Sequence, residues 1–286
     1  MRQVNPYLIT GPALISFSGG RTSAFMLHEI LRAYDGKLPD DVIVAFANTG
    51  KEREETLRFV HECESRWNVP VHWLEWTDTN IGFQRVGFNS ASRSGEPFAG
   101  VIRKYGIVPN GVSRFCTAKL KVHTMTKFMR SLGYDRWVNA VGLRYDEGHR
   151  VLKQLARNDA GKERYTAVMP LSKAKVAVRD IKAFWDAQEF DLQLQSHEGN
   201  CDLCFLKSRS KLKELIRANP GMVDWWKRQE DLASVSAQGR GGQFNRDRTF
   251  ADIEQEVLTQ PFMPGMTGDD EEYDVECGLH CGAEAA

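Results

Sequence analysis

Three kinds of chemistry are written into this chain: a turn suited to phosphate, guanidinium forks suited to oxyanions, and thiols suited to metal or sulfur. The turn is Ser16-Phe17-Ser18-Gly19-Gly20-Arg21-Thr22-Ser23. Its two glycines let the backbone approach a ligand closely, and hydroxyls and amides at a helix start suit phosphate oxygens. It is not a Walker A loop, which needs Gly-x-x-x-x-Gly-Lys-Ser/Thr; no such lysine is present. Gly142-Leu143-Arg144 and Arg150 supply two planar forks that bind phosphate or sulfate oxygens in pairs. Cys201-Asp202-Leu203-Cys204 has the spacing of a common metal-ligand pair, and Cys116 is a third candidate. Cys277 and Cys281 stand near the C-terminal end, whereas Cys63, within a helical pattern, reads as packing.

These groups need elements to position them. Ala13-Leu14-Ile15 before the turn reads as a strand, and residues 24–31 after it as a helix with apolar residues at helical spacing. Residues 41–47 form a second short, continuous apolar strand ending in Asn48-Thr49-Gly50, followed by a charged helix over 52–67. Residues 71–76 are a third strand. This βαβαβ order predicts a parallel sheet with its ligand beyond the carboxyl ends of the strands. Both Ser18-Gly19-Gly20 and Asn48-Thr49-Gly50 fall at such ends.

Residues 77–115 read as mostly irregular, 119–132 as a helix, and 137–141 as a strand feeding the 142–150 segment. Val168-Met169-Pro170-Leu171 precedes a helix over 178–188, and 211–218 is another. Beyond about residue 235 the composition shifts to Gly, Gln, Arg and Asp, and residues 268–272 are acidic. No internal repeat is visible. The fold class expected is α/β, a mostly parallel twisted sheet over residues 1–215, with a helical, partly flexible C-terminal region over 216–286.

The 286 residues, 42% hydrophobic with seven tryptophans, suffice for a real core. A formal net charge of zero supplies no global field to recruit nucleic acid or membrane, though it leaves room for local patches. The first residues lack the apolar centre of a signal peptide, and no apolar run approaches the ~18 residues of a membrane span. A cytoplasmic protein with no membrane contact is expected. In that setting six cysteines read as metal or redox chemistry rather than a disulfide framework.

The Ser-Gly-Gly-x-x-Ser turn resembles the pyrophosphate loop (PP-loop) of the adenine-nucleotide α-hydrolase-like superfamily. The order of motifs resembles the phosphoadenylyl-sulfate (PAPS) and adenylyl-sulfate (APS) reductase family in particular. Gly142-Leu143-Arg144, Arg150, Pro170-Leu171 and Trp185 follow the loop in that family's order. Cys201-x-x-Cys204 and Glu276-Cys277-Gly278-Leu279-His280 stand where APS-type members have a cysteine pair and a terminal Glu-Cys-Gly-Leu-His. The resemblance spans residues 14–281, and the pentapeptide is its most specific piece.

The resemblance implies an adenine nucleotide against Ser16, Ser18, Gly19, Gly20, Arg21, Thr22 and Ser23. Asn48, Thr49, Gly50 and Gly142 would lie nearby, with Arg144 and Arg150 on the anionic end. It implies that Cys277 attacks the sulfur of PAPS or APS, leaving a thiosulfonate for a thioredoxin-like or glutathione thiol. The tail's acidic residues would raise that thiol's pKa, so Cys277 needs cations such as Arg144 or Arg150 beside it. A [4Fe–4S] cluster is implied on Cys116, Cys201 and Cys204. Phe115 stands where the family has a further cysteine. Cys281 supplies the fourth ligand, or the fourth iron stays open, or His197 joins the thiolates around zinc instead.

Retention of Ser18-Gly19-Gly20 and Ser23 also brings the loop close to that of ATP pyrophosphatases, although Thr22 stands where many of those have Asp. The alternative is therefore an ATP-consuming sulfur-insertion enzyme with a nucleic-acid acceptor, as in tRNA thiolation or DNA phosphorothioation. A third is an inert nucleotide sensor. A homo-oligomer is compatible with each.

Overall fold

The computed structural model describes residues 5–195, 198–236 and 242–260. Six strands form one sheet: β1 (Ala13–Ser16), β2 (Val42–Asn48), β3 (Val71–Trp76), β4 (Phe83–Val86), β5 (Trp137–Ala140) and β6 (Tyr165–Val168). Their order is β4-β3-β2-β1-β5-β6. All pairs are parallel except β3 with β4, which closes one edge as an antiparallel hairpin with Trp76 opposite Phe83. From the central β1 the chain winds outward through β2 and β3, then returns to place β5 on the other side. The direction of winding thus reverses between β1 and β5, and a crevice opens at their carboxyl ends.

Both faces of the sheet are covered, and strand alternation decides which side chain faces which layer. Ile15, Val44 and Phe46 join a core with α1 (Arg21–Ala33), α2 (Glu54–Arg66) and α7 (Val178–Asp186). Leu14, Ala45, Ala47 and Leu74 pack instead on Met125, Phe128 and Met129 of α4 (Thr124–Ser131). A third apolar cluster lies beside the sheet. It joins Phe98, Val101 and Ile102 of α3 (Glu96–Tyr105) to α8 (Arg209–Ala218), α9 (Val223–Ser236) and α10 (Phe250–Thr259) around the fully buried Trp226.

The βαβαβ order, the parallel sheet and the helical C-terminal region agree with the sequence reading. The stretch 77–115 does not: it contains β4 and α3. Helix α3 is bounded by Gly95 and Gly106, both left-handed, with a proline in its first turn. Its apolar face is only Phe98, Val101 and Ile102, too short a run to stand out among glycines and serines. The helix expected from 119 starts earlier, and its first eight residues, Cys116–His123, are π-helical. Helix α5 (Gly148–Ala160) and the short α6 (Pro170–Lys173) complete the fold.

Candidate active site

The 16–23 loop joins the end of β1 to α1 at the sheet's crevice. Gly19 is left-handed (φ +81°), and a Cβ there would lie 2.8 Å from Thr56 Cγ2 and 3.1 Å from Phe46 and Val60. A side chain would therefore push the loop off α2. Gly20 caps α1 without a side-chain hydrogen bond, and no acidic residue sits in the first turn. An anion placed there meets the positive end of a 13-residue helix. Ser18 and Ser23 hydroxyls lie 2.8 Å apart, the Ser18 N–H donates to Ser23 Oγ at 3.2 Å, and Ser23 Oγ donates to the Gly20 carbonyl at 3.0 Å. The loop is thus folded on itself.

Gly142 follows β5 and packs on the same turn: a Cβ there would sit 3.2 Å from Ser23 Cα. That close approach brings Arg144 to the loop, where it donates to Thr22 Oγ1 at 3.2 Å. Two carboxylates that the sequence reading did not weigh hold the arginine forks. Arg144 Nε donates to Asp146 at 2.9 Å, its backbone N–H donates to Glu147 at 2.9 Å, and Arg150 pairs with the same Glu147. An oxyanion entering here competes with Asp146 and Glu147 for the guanidiniums.

Not every expected residue turns toward the crevice. Ser16 Oγ donates to Asn139 at 2.7 Å, across the β1–β5 seam. The Arg21 guanidinium makes a two-pronged bond to Asp191 at 2.7 and 2.5 Å and donates to the Leu194 carbonyl at 3.1 Å. It anchors the 191–194 stretch to the loop, while Trp185 Nε1 donates to the Arg21 carbonyl at 3.0 Å. Asn48 is fully buried; its amide donates to Glu75 at 2.6 Å and to the Ser92 carbonyl at 2.9 Å, and its oxygen accepts the Gly50 N–H at 3.0 Å. Thr49 donates through both N–H and Oγ1 to Glu52, at 2.8 and 2.7 Å. These residues shape the end of β2. The Gly50 backbone is left-handed where Gly95 and Pro97 approach to 3.0 Å of a Cβ position.

The segment bearing Cys201 and Cys204 is laced to this end of β2. Arg53 N–H donates to the Asn200 carbonyl at 2.7 Å, and Asp202 N–H to the Lys51 carbonyl at 3.0 Å. Lys51 and Asp202 form a nearly buried ion pair at 2.6 Å. Asn200, which the sequence reading missed, donates from its side chain to the Ser18 carbonyl at 3.0 Å. Its one visible signal was adjacency to Cys201. Lys207 crosses behind, donating to the Cys201 carbonyl at 2.6 Å. Cys201 and Cys204 are hydrogen-bonded thiols; that bond, then burial, holds Cys201 well above the usual thiol pKa. Burial likewise pushes Cys63 up, in keeping with its packing role.

Cys116 opens the π-helical segment and packs, with Cys201, on the third apolar cluster. Among the described residues, no group of three or more His, Cys, Asp or Glu side chains is arranged to hold a metal ion. They supply a thiol pair rather than an assembled ligand set for a cluster or zinc. His197, Cys277 and Cys281 lie outside the described residues. Among those described, no helix is long and apolar enough to cross a membrane.

Comparison with known proteins agrees with this architecture. The phosphoadenosine phosphosulfate reductase domain matches residues 12–193. An uncharacterized nin region protein, ORF290, of Escherichia phage lambda is 32% identical over 219 residues, covering 73% of this chain and 71% of that protein. An uncharacterized protein of Methanocaldococcus jannaschii, MJ0066, is 29% identical over 162 residues, 56% of this chain but only 29% of the archaeal protein. With the 16–23 loop, the sheet and the Arg144 segment all inside the matched region, the chain belongs to the phosphoadenosine phosphosulfate reductase domain family.

Proposed function

We propose that the protein is a thiol-dependent adenylyl-sulfate reductase that binds PAPS or APS at the 16–23 loop. The observation that carries this reading is the join at Asn200. Its side chain holds the phosphate loop, and the next residue begins the thiol segment. This joins the loop proposed to bind the nucleotide to the Cys201–Cys204 segment.

In this reading the α-phosphate lies at the start of α1, whose dipole favours the anion. Arg144 and Arg150 exchange part of their bonding to Asp146 and Glu147 for the phosphate that leaves. The Cys277 thiolate attacks the sulfur of the sulfate group, and the S–O bond to phosphate breaks with its electron pair passing to the phosphate oxygen. The nucleotide departs as a phosphate, and a cysteine thiosulfonate remains. Two thiols of a thioredoxin-like protein or of glutathione then yield sulfite, their own disulfide and free Cys277. Incubation with PAPS or APS in the absence of thiol adds one sulfonate to Cys277, read by intact mass and peptide mapping; added thiol releases sulfite.

The retained Ser18–Ser23 hydroxyl pair favours a second reading, in which ATP is the nucleotide and pyrophosphate the leaving group. A nucleic-acid acceptor would then be adenylylated, and sulfur delivered through Cys277 or the cluster would replace the adenylylated oxygen, with AMP leaving. Pyrophosphate release that depends on acceptor, with no sulfonate adduct, replaces the first reading with the second.

A further inference from the structure

We propose that the face formed by the π-helical segment, α4 and the β3–β4 hairpin binds single-stranded nucleic acid. It goes beyond the reductase reading and depends on none of its chemistry. From Pro97 to Tyr134 the chain carries seven Lys or Arg and no Asp or Glu, although the whole chain has a formal net charge of zero. Lys119, His123 and Lys127 follow one another at four-residue spacing, and so line one side of consecutive helical turns. His123 and Lys127 are exposed. Burial first, then the ammonium groups of Lys119 and Lys127, disfavour a charge on His123. The Lys127 ammonium reaches over Gly82 of the hairpin, where any Cβ would meet it. Arg85, exposed on β4, lies 5.0 Å over the Phe128 ring.

At the other end of the row Tyr105 is 44% exposed, 5.4 Å from the Lys119 ammonium and 5.9 Å from the Phe115 ring. Carboxylates from elsewhere reach two cations of the stretch, Lys104 through Asp78 at 2.6 Å and Lys121 through Glu52 at 3.5 Å. Among the described residues none lies within ion-pair distance of Lys119, Lys127 or Arg130. Like charges held side by side without neutralisation work against the helix. A polyanion turns that cost into binding, because each neutralised phosphate releases counterions.

The shape selects a single strand. The opposite side of α4 is buried on the sheet through Met125, Phe128 and Met129, so the helix does not project as a probe for a major groove. Lys119 and Lys127, about 12 Å apart with the His123 imidazole between them and an exposed aromatic ring at one end, instead track a backbone and stack an unpaired base. Under the ATP reading, this face would present the acceptor.

The test uses the full chain without nucleotide and a fluorescent oligouridylate of about 20 residues, titrated between about 50 and 200 mM salt. Three phosphates neutralised by Lys119, Lys127 and Arg130 give a log–log salt slope of about −2. Lys119→Glu with Lys127→Glu weakens binding about tenfold or more and reduces the slope by about 1. Tyr105→Ala weakens it about fivefold without changing the slope. Lys37→Glu, an exposed cation elsewhere, leaves binding unchanged. Unaltered thermal midpoints show that the variants fold. No binding by the native chain overturns the proposal. So does equal binding by the charge-reversed variant, or tighter binding of a duplex of the same length. Because no reaction is read, failure here leaves the reductase reading standing, and failure of that reading leaves this one.

Discussion

Asp202 ties three parts of the molecule together, and its removal has a calculable cost. Its Oδ2 pairs with Lys51 at 2.6 Å, and its Oδ1 accepts the Trp226 indole N–H at 3.0 Å and the Leu203 N–H at 2.6 Å. Lys51 is 8% exposed at its side chain, and its other cation contact is the Trp225 ring at 4.9 Å. Asp202→Ala leaves a buried ammonium and a buried indole donor unmatched. Breaking one partner of a buried pair costs ~3–5 kcal/mol, or roughly two to four decades in the folding constant. With a denaturant slope of about 2 kcal/mol per molar, the urea midpoint falls by roughly 2 M. Asp202→Asn keeps an acceptor for Trp226 and removes only the charge, so its cost is smaller. Adding Lys51→Met to Asp202→Asn removes the stranded ammonium and recovers at least about 1 kcal/mol, a coupling that a double-mutant cycle isolates. Equilibrium urea unfolding followed by tryptophan fluorescence reads the native protein, Asp202→Ala, and the Asp202→Asn, Lys51→Met and double variants of the cycle. A cost below about 1 kcal/mol for Asp202→Ala, or strict additivity in the cycle, would refute the reasoning.

Glu230 predicts a pH dependence. Its carboxylate accepts the Phe244 and Phe250 backbone N–H groups at 3.0 and 2.7 Å, but burial pushes its pKa up to about 7 against those bonds. Between the unfolded value of about 4.3 and about 7 the folded state holds the extra proton, so stability falls as pH rises through that window, by about 4 kcal/mol at most. Glu230→Gln flattens that slope in urea midpoints measured from acid to neutral pH; an unchanged slope assigns it elsewhere. The cluster that the family resemblance implies is tested by elemental analysis: a chain that carries it yields iron and sulfide when purified anaerobically, and Cys201→Ser with Cys204→Ser loses both. Zinc or no metal on elemental analysis removes the cluster.

The strand ends were legible because their signals are local. Ala13-Leu14-Ile15 and residues 42–47 are continuous apolar runs, each ended by a glycine-bearing turn, and buried parallel strands have that form. Gly19 and Gly142 were visible as glycines, but their reasons are tertiary, Thr56 under one and Ser23 under the other. The engagement of Arg21 by Asp191, 170 residues away, has no local signature. Nor has the hold of Asp146 and Glu147 on the arginines, since a charge beside a charge reads equally well as solvated surface. Helix α3 and β4 were missed because their burial is supplied by Trp225, Trp226 and the β3 edge rather than by their own periodicity.

The central claim is that the phosphates of an adenine nucleotide sit on the 16–23 loop, and isothermal titration of PAPS, APS and ATP tests it most directly. Ser18→Ala with Gly20→Ala removes one of the paired hydroxyls and alters the cap of α1. The account predicts that the native chain binds at least one of the three, and that the variant loses about tenfold or more in affinity at an unchanged thermal midpoint. Equal affinity of both proteins for all three nucleotides would contradict it.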